Sequence, residues 1–442
     1  MDNLFDNYKS KLAELIKFKS VSADPKHDAE MVQTAHWLKK LLQNGGFESQ
    51  IWTDDGANPV VFASFIKSPE LETVLIYGHY DVQPAELEDG WKNEPFTLSE
   101  SQTKLFARGV VDNKGQILIH IIAAMEAIKK GNLKYNIKFL IEGNEESGSG
   151  ELYGIIKDKI KEVECDFVLI SDGELTNGKP TIEVSLRGGF SCTLKYKTGK
   201  TNLHSGTFGG AVPNAGKELS EFLSKLFNSD NSISFKEFYE DVDEIHSDDL
   251  KNNKKLTNES QDIAKLAGVK SLLSQHNHDF YTATGNFPTI QITGIKVGHT
   301  GRGYANIVPA EAEVKLNFRI VTSQNSKTVA EKFKKFVEKN TPEYVDFSLD
   351  CNAFHEPIKI DGSSRHVKRV EKVLETVYNT HVNRKFVGGA IPVVADFKNA
   401  FNIDSILVPL CNEDCNMHGI DENFDIDLVK KGLEFSRVFL TE

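Results

Sequence analysis

The sequence predicts an α/β protein: a three-layer domain around a mostly parallel sheet, interrupted by an inserted α+β domain. Three observations predict it. Helical and strand periodicities alternate through the first third of the 442 residues, the signature of strands joined by covering helices. Near residue 188 the pattern changes to half-exposed alternating strands. From about residue 355 the first pattern resumes. The boundaries that follow are 1–187 with 354–442 for the outer domain and 188–353 for the insertion.

Leu4, Tyr8, Leu12, Leu15 and Ile16 follow helical spacing, as do Met31, Ala35, Leu38, Leu41 and Leu42, with Gly45 and Gly46 as a stop. VVFASFI (60–66) and TVLIYGHYD (73–81) read as strands. NKGQILIHIIAAMEAIKKG (113–131) reads as a helix closed by Gly131. NIKFLIEG (136–143) and CDFVLISD (165–172) read as buried strands, with helical GELYGIIKDKIKEV between them. In the insertion, FSCTLKYKTGK, AEVKLNFRIV (312–321) and VDFSLD (345–350) alternate with period two. AGKELSEFLSKLF (215–227) and SKTVAEKFKKFVEK (326–339) are helical, and 228–282 is a polar excursion whose KNNKKL run is a solvated face. The last segment reads as helix SSRHVKRVEKVLETVYN, FVGGAIPVVADF, strand SILVPL and helix DIDLVKKGLEFSRVF.

Composition narrows the function classes. Hydrophobic residues make up 39% and charged residues 26%, a globular balance. The net charge of −12 argues against a nucleic-acid partner, which demands a basic face. No apolar run approaches the roughly 18 residues of a membrane span, and the start lacks a basic region followed by an apolar run. Five scattered cysteines, Cys165, Cys192, Cys351, Cys411 and Cys415, read as reduced thiols of a cytoplasmic protein.

Five chemistry-bearing pieces fall at strand ends or in the loops after them: His79 and Asp81 in YGHYDVQP, Asp112 in ARGVVDNKG, Glu145 and Glu146 in EGNEESGS, Asp172 in LISDGE and His418 in CNMHGIDE. Ligands of open α/β sheets bind at such ends. Singly, each has a bland reading as a cap or turn residue; together they form a set. Two histidines and several carboxylates suit Zn²⁺, with Mn²⁺ or Co²⁺ as alternatives. Two cations about 3.5–4 Å apart need a shared carboxylate and bring the water between them to a pKa of about 7. A carboxylate outside the ligand set must then carry the proton. That gives the adjacent glutamates a purpose: one faces a metal, the other the water.

With LHSGTFGGAVPNA (203–215) added, these motifs resemble the two-zinc aminoacylase/carboxypeptidase/dipeptidase metallopeptidase family, in particular its cytosolic nonspecific dipeptidases and carnosinases. The resemblance runs from residue 78 to 422. It implies that His79 and Asp172 bind one metal, Glu146 and His418 the other, and that Asp112 bridges both, often through a cis peptide to Asn113. It makes Glu145 the general base and later acid, and Asp81 the hydrogen-bond partner of His79. It implies a homodimer in which His204 stabilises the oxyanion in the neighbouring subunit's site. Arg319 would clamp a substrate carboxylate, with Asn306, Gly388 and Gly389 completing the pocket.

This chain departs from those dipeptidases at Ala390, where they carry a hydroxyl residue, and at Asn306, where they carry threonine. Both positions touch substrate recognition, not metal binding. The expected activity is metal-dependent cleavage of dipeptides or short peptides with a free C-terminal carboxylate. The alternative is an N-acyl amino acid deacylase using the same residues. A third reading, a non-catalytic binding protein, requires a lost ligand or base, and every position is filled.

Overall fold

The computed structural model describes residues 2–54, 57–256, 263–273, 275–389, 391–403 and 405–442. Ala390 lies outside them. The chain divides into two compact units, Met1–Val184 with Ile360–Lys385 and Pro392–Glu442, and Ser185–Lys359 with Phe386–Ile391.

The first unit is built on a mixed sheet. Its four central strands are parallel, in the order Asn136–Glu142, Thr73–His79, Phe167–Ile170 and Ser405–Leu407. Val60–Phe65 and Glu48–Trp52 extend one side antiparallel, and Thr181–Leu186 pairs antiparallel on the other. Thr73–His79 is buried from Val74 onward, because a central parallel strand is covered on both faces and needs apolar side chains in both directions. The helix Lys114–Lys130 is buried on nearly every side from Lys114 to Ala124 and packs on Asp2–Leu15 and Ile426–Thr441. Gly131 ends it at φ 68°, where a residue without Cβ caps the last turn.

The second unit carries a four-stranded antiparallel sheet ordered Thr289–Val297, Glu311–Ile320, Gly188–Lys197, Asp346–His355. Alternation places Ala312, Val314, Leu316, Phe318 and Ile320 on one face, beside Phe190, Leu194 and Tyr196 of the neighbouring strand. Helices Ala215–Leu226 and Ser326–Asn340 contribute Leu219, Phe222, Phe333 and Val337 to the same core. Asn214 and Asn325 cap their first turns by accepting backbone N–H bonds.

Several expectations are corrected. Cys192 and Cys351 are disulfide-bonded rather than free, because they face each other directly in the register of two antiparallel strands. Cys165, Cys411 and Cys415 are free thiols. Gly388 and Gly389 belong to the second unit, held there by Arg187, whose backbone and Nε donate to Gly389 O and Gly388 O. The polar excursion includes helices Ser247–Leu256 and Phe280–Gly285; its residues 257–262 and 274 lie outside the described set. Asn253 and Leu256 of the KNNKKL run are buried, Asn253 donating to Thr282 and Asn286. The strand Thr289–Val297 has no counterpart in the sequence reading. Among the described residues no helix is long and apolar enough to cross a membrane.

Candidate metal centre

Five segments of the first unit bring the carboxylates and imidazoles together. His79 ends its strand, and Asp172 lies two residues beyond Phe167–Ile170. Glu145 and Glu146 open a single 3-10 turn, Glu145–Ser147, just past Asn136–Glu142. Asp112 precedes the helix Lys114–Lys130, and its peptide bond to Asn113 is cis. Asn113 Nδ2 donates to Ser171 O at 2.7 Å, tying this turn to the Asp172 loop. Gly78 makes room for it: a Cβ there would sit 2.6 Å from Asn113 Oδ1. His418 comes from the loop near the C-terminus, at φ 60°.

The ligand-type atoms form two groups with Asp112 common to both: His79, Asp112 and Asp172, and Asp112, Glu146 and His418. Within each, the atoms lie within 4.8 Å of one another. Asp112 offers one oxygen to each side. Its Oδ1 is 3.0 Å from His79 Nε2, and its Oδ2 is 2.8 Å from His418 Nε2. Asp172 Oδ2 is 3.6 Å from His79 Nε2, and Glu146 Oε2 is 3.3 Å from His418 Nε2. Glu145 belongs to neither group.

Asp81, fully buried, holds the turn of the two glutamates. Its Oδ1 accepts from Glu145 N at 3.2 Å and its Oδ2 from Glu146 N at 3.0 Å. His79 Nδ1 lies 3.1 Å from the Asp81 backbone oxygen and 3.3 Å from its carboxylate. That leaves Nε2 as the face of the ring turned toward Asp112 and Asp172.

The charges are unbalanced in a way a cation would correct. Asp81, Asp112, Glu145, Glu146 and Asp172 face two imidazoles. Burial opposes protonation of His79, yet Asp112, Asp172 and Asp81 outweigh it and hold its pKa well above the usual imidazole value. Asp112, and then Glu146, raise His418 to about 10. Burial pushes Asp112 up, but the two histidines win and hold it below the usual carboxylate range. Burial raises Asp172, helped by the neighbouring Asp112 charge and opposed by His79. Burial first, then the charges of Asp172, Asp112 and Asp81, raise Glu145 well above the usual value against His79. His79 Nε2 is buried and has no directed hydrogen bond. An orphaned imidazole nitrogen, a shared carboxylate and clustered acids fit a pair of divalent cations.

The profile of peptidase family M20/M25/M40 matches residues 75–442. The chain belongs to this family. It is 28% identical over 464 residues to the Cys-Gly metallodipeptidase dug1 of Schizosaccharomyces pombe, covering 100% of this chain and 96% of that protein. It is 27% identical over 377 residues to the human Beta-Ala-His dipeptidase, covering 83% and 74%. The solved M20 metallo-carboxypeptidase Sso-CP2 of Sulfolobus solfataricus superposes with a TM-score of 0.88 at 28% identity, with 98% of each chain covered.

The remaining site residues read from the sequence, His204, Asn306, Arg319, Gly388 and Gly389, lie in the second unit. His204 is exposed, and its Nδ1 accepts from Gly206 N at 3.1 Å. Asn306 is exposed and its backbone oxygen accepts from Ser205 N. Arg319 is half-buried on Glu311–Ile320, and burial lowers its pKa. The sequence reading passed over Gln83, which donates to Glu146 Oε2 at 2.6 Å, and Glu142, which accepts from Tyr77 and Ser149 behind the glutamate turn. Gln83 stands two residues after Asp81 in the same motif, which was the available signal.

Proposed function

We propose that the chain is a dinuclear metallopeptidase of dipeptidase or carboxypeptidase type, hydrolysing dipeptides or short peptides that carry a free C-terminal carboxylate. The observation that carries this reading is the pair of ligand groups sharing Asp112, with Glu145 outside both. His79 and Asp172 would hold one cation and Glu146 and His418 the other, with Asp112 offering an oxygen to each side. Two divalent cations held there, zinc in this reading with manganese or cobalt also accommodated, would supply Lewis-acid polarisation of the scissile carbonyl and an acidified water.

Glu145 takes the proton from that water and returns it to the departing amine. Its position next to the ligand Glu146 in one turn, yet outside both ligand groups, supports the assignment, since the proton carrier must stand beside the cations without binding them. Asp81 keeps the glutamate turn and the His79 ring in place. The Arg319 guanidinium makes no hydrogen bond or ion pair among the described residues, which suits a clamp for the substrate carboxylate. Asn306 and the backbone of Gly388 and Gly389 complete that pocket.

The working assembly in this reading is a homodimer in which His204 serves the neighbouring subunit. Because His204 Nδ1 accepts from Gly206 N, the neutral ring carries its proton on Nε2 and can donate to an oxyanion. Thr289–Val297 ends its sheet with Ile292 and Ile295 exposed, which supports a covering partner. Mixing His204→Ala with Glu145→Ala protein should restore about a quarter of the sites by random exchange, since half the dimers are mixed and each mixed dimer holds one intact site. No recovery would place the site within one chain.

The reading includes a cytoplasmic location, against which the Cys192–Cys351 disulfide stands. Trapping thiols at cell lysis and weighing intact protein decides it: a fully oxidised pair refutes the cytoplasm. A panel of dipeptides and N-acyl amino acids, offered to metal-reconstituted protein, tests the activity. Turnover that requires a free α-amine supports the dipeptidase. Turnover confined to N-acyl amino acids makes the protein a deacylase.

A further inference from the structure

A buried ion pair outside the ligand set joins the two loops that carry Asp112 and His418. Arg108 is 3% exposed and Glu422 fully buried, with Nη1 to Oε2 at 2.8 Å. Such a pair often contributes little to stability, because desolvation offsets the attraction. Its remaining hydrogen bonds show what it does. Glu422 Oε2 also accepts from Gly109 N at 2.9 Å, and Oε1 accepts from Val111 N at 2.9 Å and Asp112 N at 3.2 Å. The carboxylate therefore fixes the backbone that presents Asp112. On the other side, Arg108 Nη2 donates to His418 O at 3.3 Å and Gly419 O at 3.1 Å.

The Trp91 ring lies 5.2 Å from the guanidinium carbon and completes its surroundings. His418 itself adopts a left-handed backbone conformation, φ 60°, which a residue with a Cβ keeps only where its surroundings hold it. By contrast, His79 ends and Asp172 follows strands pinned in the middle of the sheet.

We propose that Arg108 and Glu422 are positioning residues that set the His418 half of the metal centre, so that Arg108 governs cation affinity at Asp112–Glu146–His418 and not at His79–Asp112–Asp172. The proposal rests on the dinuclear reading above. Glu422 acts on the Asp112 backbone, shared by both halves; Arg108 alone reaches the His418 backbone.

The test is a two-equivalent cation titration of metal-free protein with Zn²⁺ or Co²⁺, alongside thermal unfolding of the metal-free forms. Wild type, His79→Ala and His418→Ala identify the two equivalents. Arg108→Met should weaken the equivalent that His418→Ala removes by about 10–100-fold, the usual effect of losing a ligand's supporting contact, and leave the other within about threefold. Arg108→Lys keeps a charge beside Glu422 but lacks the fork that serves both carbonyls. It should show the same selective loss to a smaller degree, and it carries the test if the methionine variant does not fold. Glu422→Gln should weaken both equivalents. Equal losses at both equivalents in the Arg108 variants, or a lower unfolding temperature with both affinities intact, overturns the proposal. A wild-type protein binding fewer than two cations overturns the dinuclear reading instead.

Discussion

Replacing Asp81 by alanine should separate cation binding at the His79 half of the centre from catalysis. The carboxylate accepts two backbone N–H bonds from the glutamate turn, at 3.2 and 3.0 Å, in a fully buried position. Hydrogen bonds to a charged group are worth about 1.5–3 kcal/mol each, so about 3–6 kcal/mol of restraint on Glu145 and Glu146 is removed. At about 1.4 kcal/mol per tenfold, the lower figure already corresponds to about a hundredfold in kcat/KM. His79 keeps the Asp81 backbone oxygen at 3.1 Å, so the His79 half should retain its cation within about tenfold. Asparagine keeps one of the two acceptors and should fall between alanine and wild type. Steady-state kinetics on a cleaved dipeptide, paired with cation titration, reads both quantities. Alanine protein with kcat/KM within threefold of wild type would falsify the claim that Asp81 holds the catalytic turn.

Glu145→Gln should retain both cations and lose at least about a hundredfold in kcat, the lower end for general acid–base groups; wild-type turnover would remove Glu145 from that role. His418, raised to about 10 by Asp112 and Glu146, is protonated at neutral pH in the cation-free protein and must be neutral to ligate. Cation binding there should release a proton, and affinity should rise about tenfold per pH unit through neutrality. Calorimetry in two buffers of different ionisation heat counts the protons, and a count of zero contradicts the assignment. Replacing both Cys192 and Cys351 with alanine opens a loop of 159 residues and should lower stability by up to about 5 kcal/mol in the chain-entropy picture. An unchanged denaturation midpoint would show that the bond does not constrain the unfolded chain.

The elements legible in the sequence are those whose burial follows a period. Leu219, Phe222 and Leu226 mark Ala215–Leu226 at helical spacing, and Val314, Leu316 and Phe318 mark Glu311–Ile320 by strict alternation. His79, Glu145, Glu146 and Asp172 were legible because each sits at or just past the end of an apolar strand, and Asp112 and His418 because each sits in a short motif of its own, entering a helix and in a C-terminal loop. Thr289–Val297 escaped because, as the last strand of its sheet, it exposes Gln291, Ile292 and Thr293 in succession and has no alternation to read. Cys192 with Cys351, and Arg108 with Glu422, are long-range pairs fixed by strand register or loop packing, neither of which any local pattern encodes. The Gly388–Gly389 segment was placed by sequence neighbours, whereas its backbone bonds run to Arg187.

The strand Ser405–Leu407 sits between Phe167–Ile170 and Thr181–Leu186, although more than two hundred residues separate it from them in the chain. During synthesis the side of Phe167–Ile170 that it will occupy stays open while Ser185–Lys359 is translated, roughly 10–40 s at 5–20 residues per second. Through that interval the nascent first unit presents an unpaired strand edge, and His418 has not yet been translated. The intervening unit, whose sheet and helices lie within one continuous stretch of sequence, has all its parts first. A ribosome stalled before residue 405 therefore leaves an aggregation-prone partial sheet that lacks the candidate ligand His418, and chaperone demand should peak in that window.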